Sequence, residues 1–117
     1  MLFVEYPKCT TCKKAKAWLD SHGISYEDRD IKLDNPSETE LRGWHEASGL
    51  PLKRFFNTSG MLYREMALSK KLPDMTEDQM YDLLASNGML VKRPVLVNGD
   101  TILVGFREKE WEEALLG

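Results

Sequence analysis

Cysteine is scarce in this chain: its 117 residues hold only Cys9 and Cys12. That excludes a framework of several disulfides, and with it the small secreted scaffolds that depend on one. Histidine is as scarce, with only His22 and His45. A zinc site needs four ligands and would have to join both histidines to the cysteine pair at unsuitable spacing, so no metal is expected. No apolar run approaches a membrane span of about 20 residues. The start, Met1-Leu2-Phe3-Val4, lacks the basic head and long apolar core of a signal peptide. These absences predict a cytoplasmic protein with no membrane contact. Positive charge is not in excess either: 16 Lys and Arg against 19 Asp and Glu give a net charge of −3. Direct nucleic-acid binding through a broad basic face is therefore not expected. Repeats and low-complexity tracts are missing as well.

What remains is one globular domain, spanning residues 1–117, with 42% apolar residues to build its core. Leu2 to Glu5 reads as a short strand. Thr10 to His22 reads as a helix stopped by Gly23, with Ala15, Trp18, Leu19 and His22 at core-facing spacing. Ile24 to Ile31 reads as a second strand. Its dense charge (Glu27, Asp28, Arg29, Asp30) suits a sheet edge. The middle is helical. Ser37 with Glu40 and Thr76 with Gln79 give capping-box starts, and Leu52, Phe55 and Phe56 suggest a short helix between them. Val95 to Val97 and Thr101 to Val104 read as a hairpin turning at Asn98-Gly99. Arg107 to Leu116 closes as a helix with Trp111, Ala114 and Leu115 inward. The resulting fold class is α/β: a thioredoxin-like, glutaredoxin-like four-stranded mixed sheet. Residues 1–33 and 89–117 form its core, and about 34–88 a helical insertion.

Cys9-Thr10-Thr11-Cys12 sits where the first strand passes into the first helix, the end of an open α/β sheet where ligands gather. Three positions is close to one helical turn, so the two sulfurs come within bonding reach. The helix dipole and Lys8, Lys13 and Lys14 favour the thiolate. The functional reading makes Cys9 the nucleophile and Cys12 the thiol that resolves the intermediate as an internal disulfide. Two inert thiols, or a zinc pair, are the alternatives.

Arg93-Pro94 precedes the third strand. A cis bond there would leave backbone groups free for an extended ligand, and Arg93 could present its guanidinium fork to a carboxylate or oxyanion. A routine strand-starting proline beside a solvated arginine is the alternative. Phe55-Phe56-Asn57-Thr58-Ser59-Gly60, followed by Tyr63-Arg64, is a small polar loop with a cation that could hold an anion. The alternative is a helix stop with Arg64 in solvent. His22, near a helix end, reads as a capping residue.

Taken together, Tyr-Pro-Lys-Cys-Thr-Thr-Cys-Lys-Lys-Ala (6–15), Lys-Arg-Pro-Val-Leu (92–96) and Val-Gly-Phe (104–106) resemble the ArsC/Spx family over nearly the whole chain. That family joins glutaredoxin-coupled arsenate reductases, Spx-type transcription regulators and ArsC-like thiol reductases. The resemblance implies the thioredoxin-like fold with inserted helices, Cys9 as nucleophile, and Arg93 and Pro94 beside it. The family's arsenate reductases place three arginines around the oxyanion. Arg93 matches one, while Asn57 and Gly105 stand at the other two positions, leaving Lys13, Arg54 or Arg64 to substitute. Those enzymes also carry a serine where Cys12 stands and finish with external glutathione.

The expectation is therefore a cytosolic thiol-disulfide oxidoreductase. Its catalytic residues are Cys9, Cys12 and Arg93, and its substrate-binding residues are Lys13, Pro94, Asn57 and Arg64. It acts as a monomer on a small-molecule or protein disulfide. No cofactor is bound, and glutathione or a glutaredoxin- or thioredoxin-type donor returns the electrons. The other reading the resemblance implies is an Spx-type redox regulator that contacts the RNA polymerase α subunit.

Overall fold

Strand β1 (Leu2–Glu5) is the axis of the fold in the computed structural model, which describes every residue from Met1 to Gly117. Helix α1 (Thr10–Ser21) returns the chain to strand β2 (Glu27–Asp30), which pairs parallel to β1. Strands β3 (Val95–Asn98) and β4 (Thr101–Val104) form an antiparallel hairpin, and β3 pairs antiparallel to β1 on its other side. The sheet order is β2-β1-β3-β4. With helix α6 (Glu108–Leu115) closing the chain, this is the expected mixed four-stranded, thioredoxin-like α/β fold.

The alternation of side chains along each strand divides the core into two layers. Phe3, Leu96 and Leu103 point to one face and pack with Ala15, Trp18 and Leu19 of α1 and Trp111 of α6. Val4, Val95, Ile102 and Val104 point to the other face and meet the apolar sides of the inserted helices. Those helices are α2 (Glu38–Ser48), α3 (Met61–Glu65), α4 (Leu68–Lys71) and α5 (Glu77–Ser86), with short 3-10 turns at Leu52–Phe55, Leu72–Asp74 and Gly88–Leu90. Both expected capping boxes form. Ser37 accepts from the Glu40 backbone N–H at 3.1 Å, and Thr76 from Gln79 at 3.2 Å.

Four expectations need correction. The second strand spans Glu27–Asp30 rather than Ile24 to Ile31, because β1 offers only four residues to pair with. The hairpin register pairs Asn98 with Thr101, so the two-residue loop is Gly99-Asp100, one step later than expected. Gly99 takes the positive φ of 59° that this loop needs at its first position. His22 and Ala114 are exposed rather than core-facing. His22 instead caps the end of α1, its Nδ1 2.8 Å from the Trp18 carbonyl. The short helices α3 and α4 were not anticipated; at five and four residues they carry no full period to detect.

Candidate functional site

Cys9 is the N-cap of α1, in extended conformation, and its side chain caps nothing. The Cys9 amide donates to the Tyr6 carbonyl at 2.9 Å, and the Lys13 amide to the Cys9 carbonyl at 3.0 Å. These two bonds fix the thiol at the mouth of the helix. Both cysteines are free, Cys9 partly exposed and Cys12 fully buried.

Their environments push the two thiols apart. Burial works against ionising Cys9, but donors and charge outweigh it. The Cys12 backbone N–H and thiol, the Thr11 N–H and the Arg93 guanidinium all favour the thiolate, and the net result lies below the ordinary thiol value. Cys12 goes the other way. Burial pushes it up to about 12; the Tyr6 backbone N–H opposes this, while Cys9 and the nearby Glu5 carboxylate add to it. One thiol is therefore poised to attack, and its neighbour holds its proton.

Arg93 follows the 3-10 turn at Gly88–Leu90, and its guanidinium lies 5.3 Å from the centre of the Tyr6 ring. Its Nη1 donates to the Met89 carbonyl at 3.2 Å and the Val91 carbonyl at 3.4 Å. Its Nε is buried and has no partner. The Arg93–Pro94 peptide is cis, and the Pro94 carbonyl accepts from the Gly105 amide at 2.8 Å.

The loop at Asn57 reaches this place through backbone pairing. Phe56 and Val91 form an antiparallel bridge, the Asn57 amide donates to Leu90 at 2.8 Å, and the Lys92 amide donates to Phe55 at 2.7 Å. The result is a cavity of about 350 Å³ lined by Asn57, Gly60, Met61, Leu62, Glu65, Asn87, Met89 and Arg93. A second cavity of about 310 Å³ opens beside Thr11 of the reactive loop. Arg54, Lys92 and Arg107 converge on it, and none of the three forms an ion pair.

Of the residues singled out from the sequence, the structure gathers Cys9, Cys12, Arg93, Pro94 and Asn57. Lys13 and Arg64 are exposed and line neither cavity. Three residues were missed. Glu65 sits on the unanticipated α3, Asn87 caps the 3-10 turn before Arg93, and Glu5 is buried at the end of β1. Burial with repulsion from Asp28 lifts Glu5 to about 7, against the pull of Lys16 at 3.9 Å. A charged residue ending an apolar strand was the only sequence signal for it. No three His, Cys, Asp or Glu side chains converge as a metal site would require. No helix is long and apolar enough to cross a membrane.

A thioredoxin-like sheet with a Cys-x-x-Cys pair at the start of α1 and a cis proline opening β3 defines a broad thiol-protein class. The insertion and the residues around Arg93 narrow it. The chain belongs to the ArsC family, whose model matches residues 4–114. A solved Bacteroides fragilis protein described as ArsC-family related is 54% identical, with a TM-score of 0.93 over 96% of this chain and 94% of that one. The uncharacterised YusI of Bacillus subtilis is 51% identical, covering 97% of this chain and 96% of that protein. The global transcriptional regulator Spx of Listeria innocua is 28% identical, covering 89% of this chain and 78% of that protein. Other solved neighbours carry arsenate reductase in their names.

Proposed function

We propose that this protein is a cytosolic thiol-disulfide reductase with Cys9 as attacker and Cys12 as resolver. The observation that carries the proposal is the asymmetry of the pair: Cys9 is partly exposed and shifted towards thiolate, Cys12 is buried and shifted to about 12. In the first step the Cys9 thiolate attacks a disulfide R–S–S–R′, forming Cys9–S–S–R and releasing R′–S⁻, which takes a proton from water. In the second, Cys12 attacks the Cys9 sulfur and its proton passes, in the net balance, to the departing sulfur, closing the Cys9–Cys12 bond and releasing R–SH. Two electrons then return from glutathione or a glutaredoxin- or thioredoxin-type protein. Arg93 favours the Cys9 thiolate and orients an anionic group of the substrate; the buried Pro94 follows it in the turn.

The test is a glutathione-linked reductase assay on single variants. Cys9→Ser abolishes turnover, while Cys12→Ser stops after the first step and leaves a mixed disulfide visible by intact mass. Small and equal effects of both substitutions would remove this mechanism.

The likeness to Spx favours a second reading, a redox switch acting through RNA polymerase. The same experiment separates the two, since a switch forms its internal disulfide without catalytic turnover of an external one.

A further inference from the structure

Glu5 is a buried carboxyl that the reaction steps above leave unused. It ends β1 with only 2% of its surface exposed. Side chains alternate along a strand, so Glu5 points to the same face as Phe3, the face that α1 covers. On that helix Cys12 and Lys16 stand one turn apart and on one side. Glu5 lies beneath them. Lys16 Nζ is 3.9 Å from its Oε1, and the Tyr6 amide, the next N–H along the chain, donates to the Cys12 sulfur. Strand β2 brings Asp28 and Asp30 to this face, opposite Phe3 and Glu5. Asp30 is occupied, its Oδ1 accepting from the Lys32 and Leu33 amides. Asp28 accepts from Lys16 at 2.7 Å and also shares a hydrogen bond with Glu5. Two carboxyls share a hydrogen bond only while one of them holds a proton. The Glu5 side chain is 3% exposed and that of Asp28 39%, so the pair leads from the interior to water.

Cys12 needs a proton carrier in both directions. It must lose a proton when it bonds to Cys9. When a donor thiol opens that bond at the more exposed Cys9 sulfur, Cys12 departs as a thiolate inside the protein, where burial disfavours charge. Fully buried, it has no water of its own to exchange with. A neighbouring acid removes the cost by donating as the S–S bond breaks, and its base form accepts as the bond closes. Glu5, raised to about 7 by burial and by Asp28, holds both forms near neutral pH. Donation to the departing Cys12 runs downhill, towards a group pushed up to about 12. In closure the Cys12 thiol becomes acidic as its sulfur bonds to Cys9, so the proton leaves with bond formation. By then Cys9 is a mixed disulfide and no longer a thiolate raising its neighbour.

We propose that Glu5 is the proton carrier of Cys12 and Asp28 its outlet to water. The inference rests on the thiol-disulfide reading. As the internal disulfide closes, the Cys12 sulfur bonds to Cys9, its proton passes to the Glu5 carboxylate, and R–S⁻ departs. Glu5 then releases the proton through Asp28, and R–S⁻ takes one from water. When a donor thiolate attacks Cys9, a mixed disulfide forms there, the bond to Cys12 breaks, and Glu5 protonates the departing sulfur. A second donor thiol frees the Cys9 thiolate, so two thiols are oxidised to one disulfide while the protein is reduced by two electrons.

Opening of the oxidised full chain by dithiothreitol tests this across pH. The reaction is quenched with acid, the freed thiols are alkylated and counted by intact mass, and each rate is divided by the thiolate concentration of the reductant. The wild-type rate is expected to be high in mild acid and to fall through a midpoint near neutrality as Glu5 loses its proton. Glu5→Gln is expected to be flat with pH and slower than wild type by at least about tenfold at about pH 5.5. By about pH 9 the wild type is no faster than this variant, its donor being spent. The neighbours move the wild-type midpoint in opposite directions. Asp28→Asn lowers it, because Asp28 raises Glu5, and Lys16→Met raises it, because Lys16 lowers Glu5. Both side chains are partly exposed, so these substitutions leave the core intact. One pH profile shared by wild type and Glu5→Gln, or a midpoint that neither neighbour moves, would overturn the proposal. Those results leave the reductase reading standing, since the disulfide still forms and opens. Oxidation that yields no Cys9–Cys12 bond removes that reading and the carrier with it.

Discussion

Cys9 and Cys12 are the same side chain three positions apart, and placement alone gives them opposite chemistry. The N-cap position leaves Cys9 partly open and surrounded by donors, whereas the first helical turn buries Cys12 completely. The identity of the pair and its helix-start position were legible in the sequence, because a strand, a short loop and a helix leave few places for it. The size of the split was not, because it depends on burial and on Glu5, which lies just outside the 6–15 motif and ends β1. Glu5 is itself testable. Its carboxyl is raised in the fold to about 7, with burial the main cause and Asp28 the next. A group bound more tightly to its proton when folded gives no penalty below its unfolded value near 4.3, and an increasing one as pH rises towards 7. Glu5→Gln should therefore stabilise the protein by about 2 kcal/mol at pH 8 and by almost nothing at pH 4, measured by urea unfolding. An equal effect at both pH values would mean that the carboxyl is not held protonated.

The elements that position the site divide into those written locally and those fixed by tertiary pairing. Helices α2 and α5 were legible because each begins with a capping box and carries buried residues at helical spacing, such as Leu41 and Trp44, or Met80 and Leu84. The segment around Asn57 was not, because its place comes from the Phe56–Val91 bridge, which joins the middle of the insertion to the turn that follows it. That is why Arg64 looked the better ligand residue and Glu65 was passed over. The insertion is also tied to the sheet at its other end. Arg29 of β2 donates to both carboxylate oxygens of Glu40, at 2.6 and 2.9 Å, and also to the Asn35 carbonyl. With Arg29 the main cause, Glu40 is held down at about 2. A depressed carboxyl stabilises the fold above its unfolded value, and that stability fades as pH falls from about 4.3 towards 2. Glu40 keeps 34% of its side chain in water, so the contribution is discounted to about 1 kcal/mol. Glu40→Gln should cost that amount at pH 7 and only a minor fraction of it near pH 2.5, read by denaturant melts at the two values.

Across the whole molecule, net charge and local charge part company. The chain is acidic overall, at −3, yet Arg54, Lys92 and Arg107 gather unpaired beside Thr11. Composition argues against a broad basic face and cannot show so local a focus, since the three residues lie far apart in sequence and meet only on folding. The thioredoxin-like order was readable because each strand and helix carries its own period, and the right-handed crossover leaves few ways to join them. On this frame the sheet brings the Cys9 loop, the Arg93 turn and the inserted Asn57 loop to one end, and the central claim is that the frame makes the two thiols unequal. Alkylation of the reduced wild-type protein by iodoacetamide across pH, resolved by peptide mass, tests that claim most directly. Cys9 is predicted to react with a midpoint below the ordinary thiol value of about 8.5, while Cys12 stays unmodified until well above pH 9. Two thiols modified together, or a Cys9 midpoint at or above that ordinary value, would contradict the account.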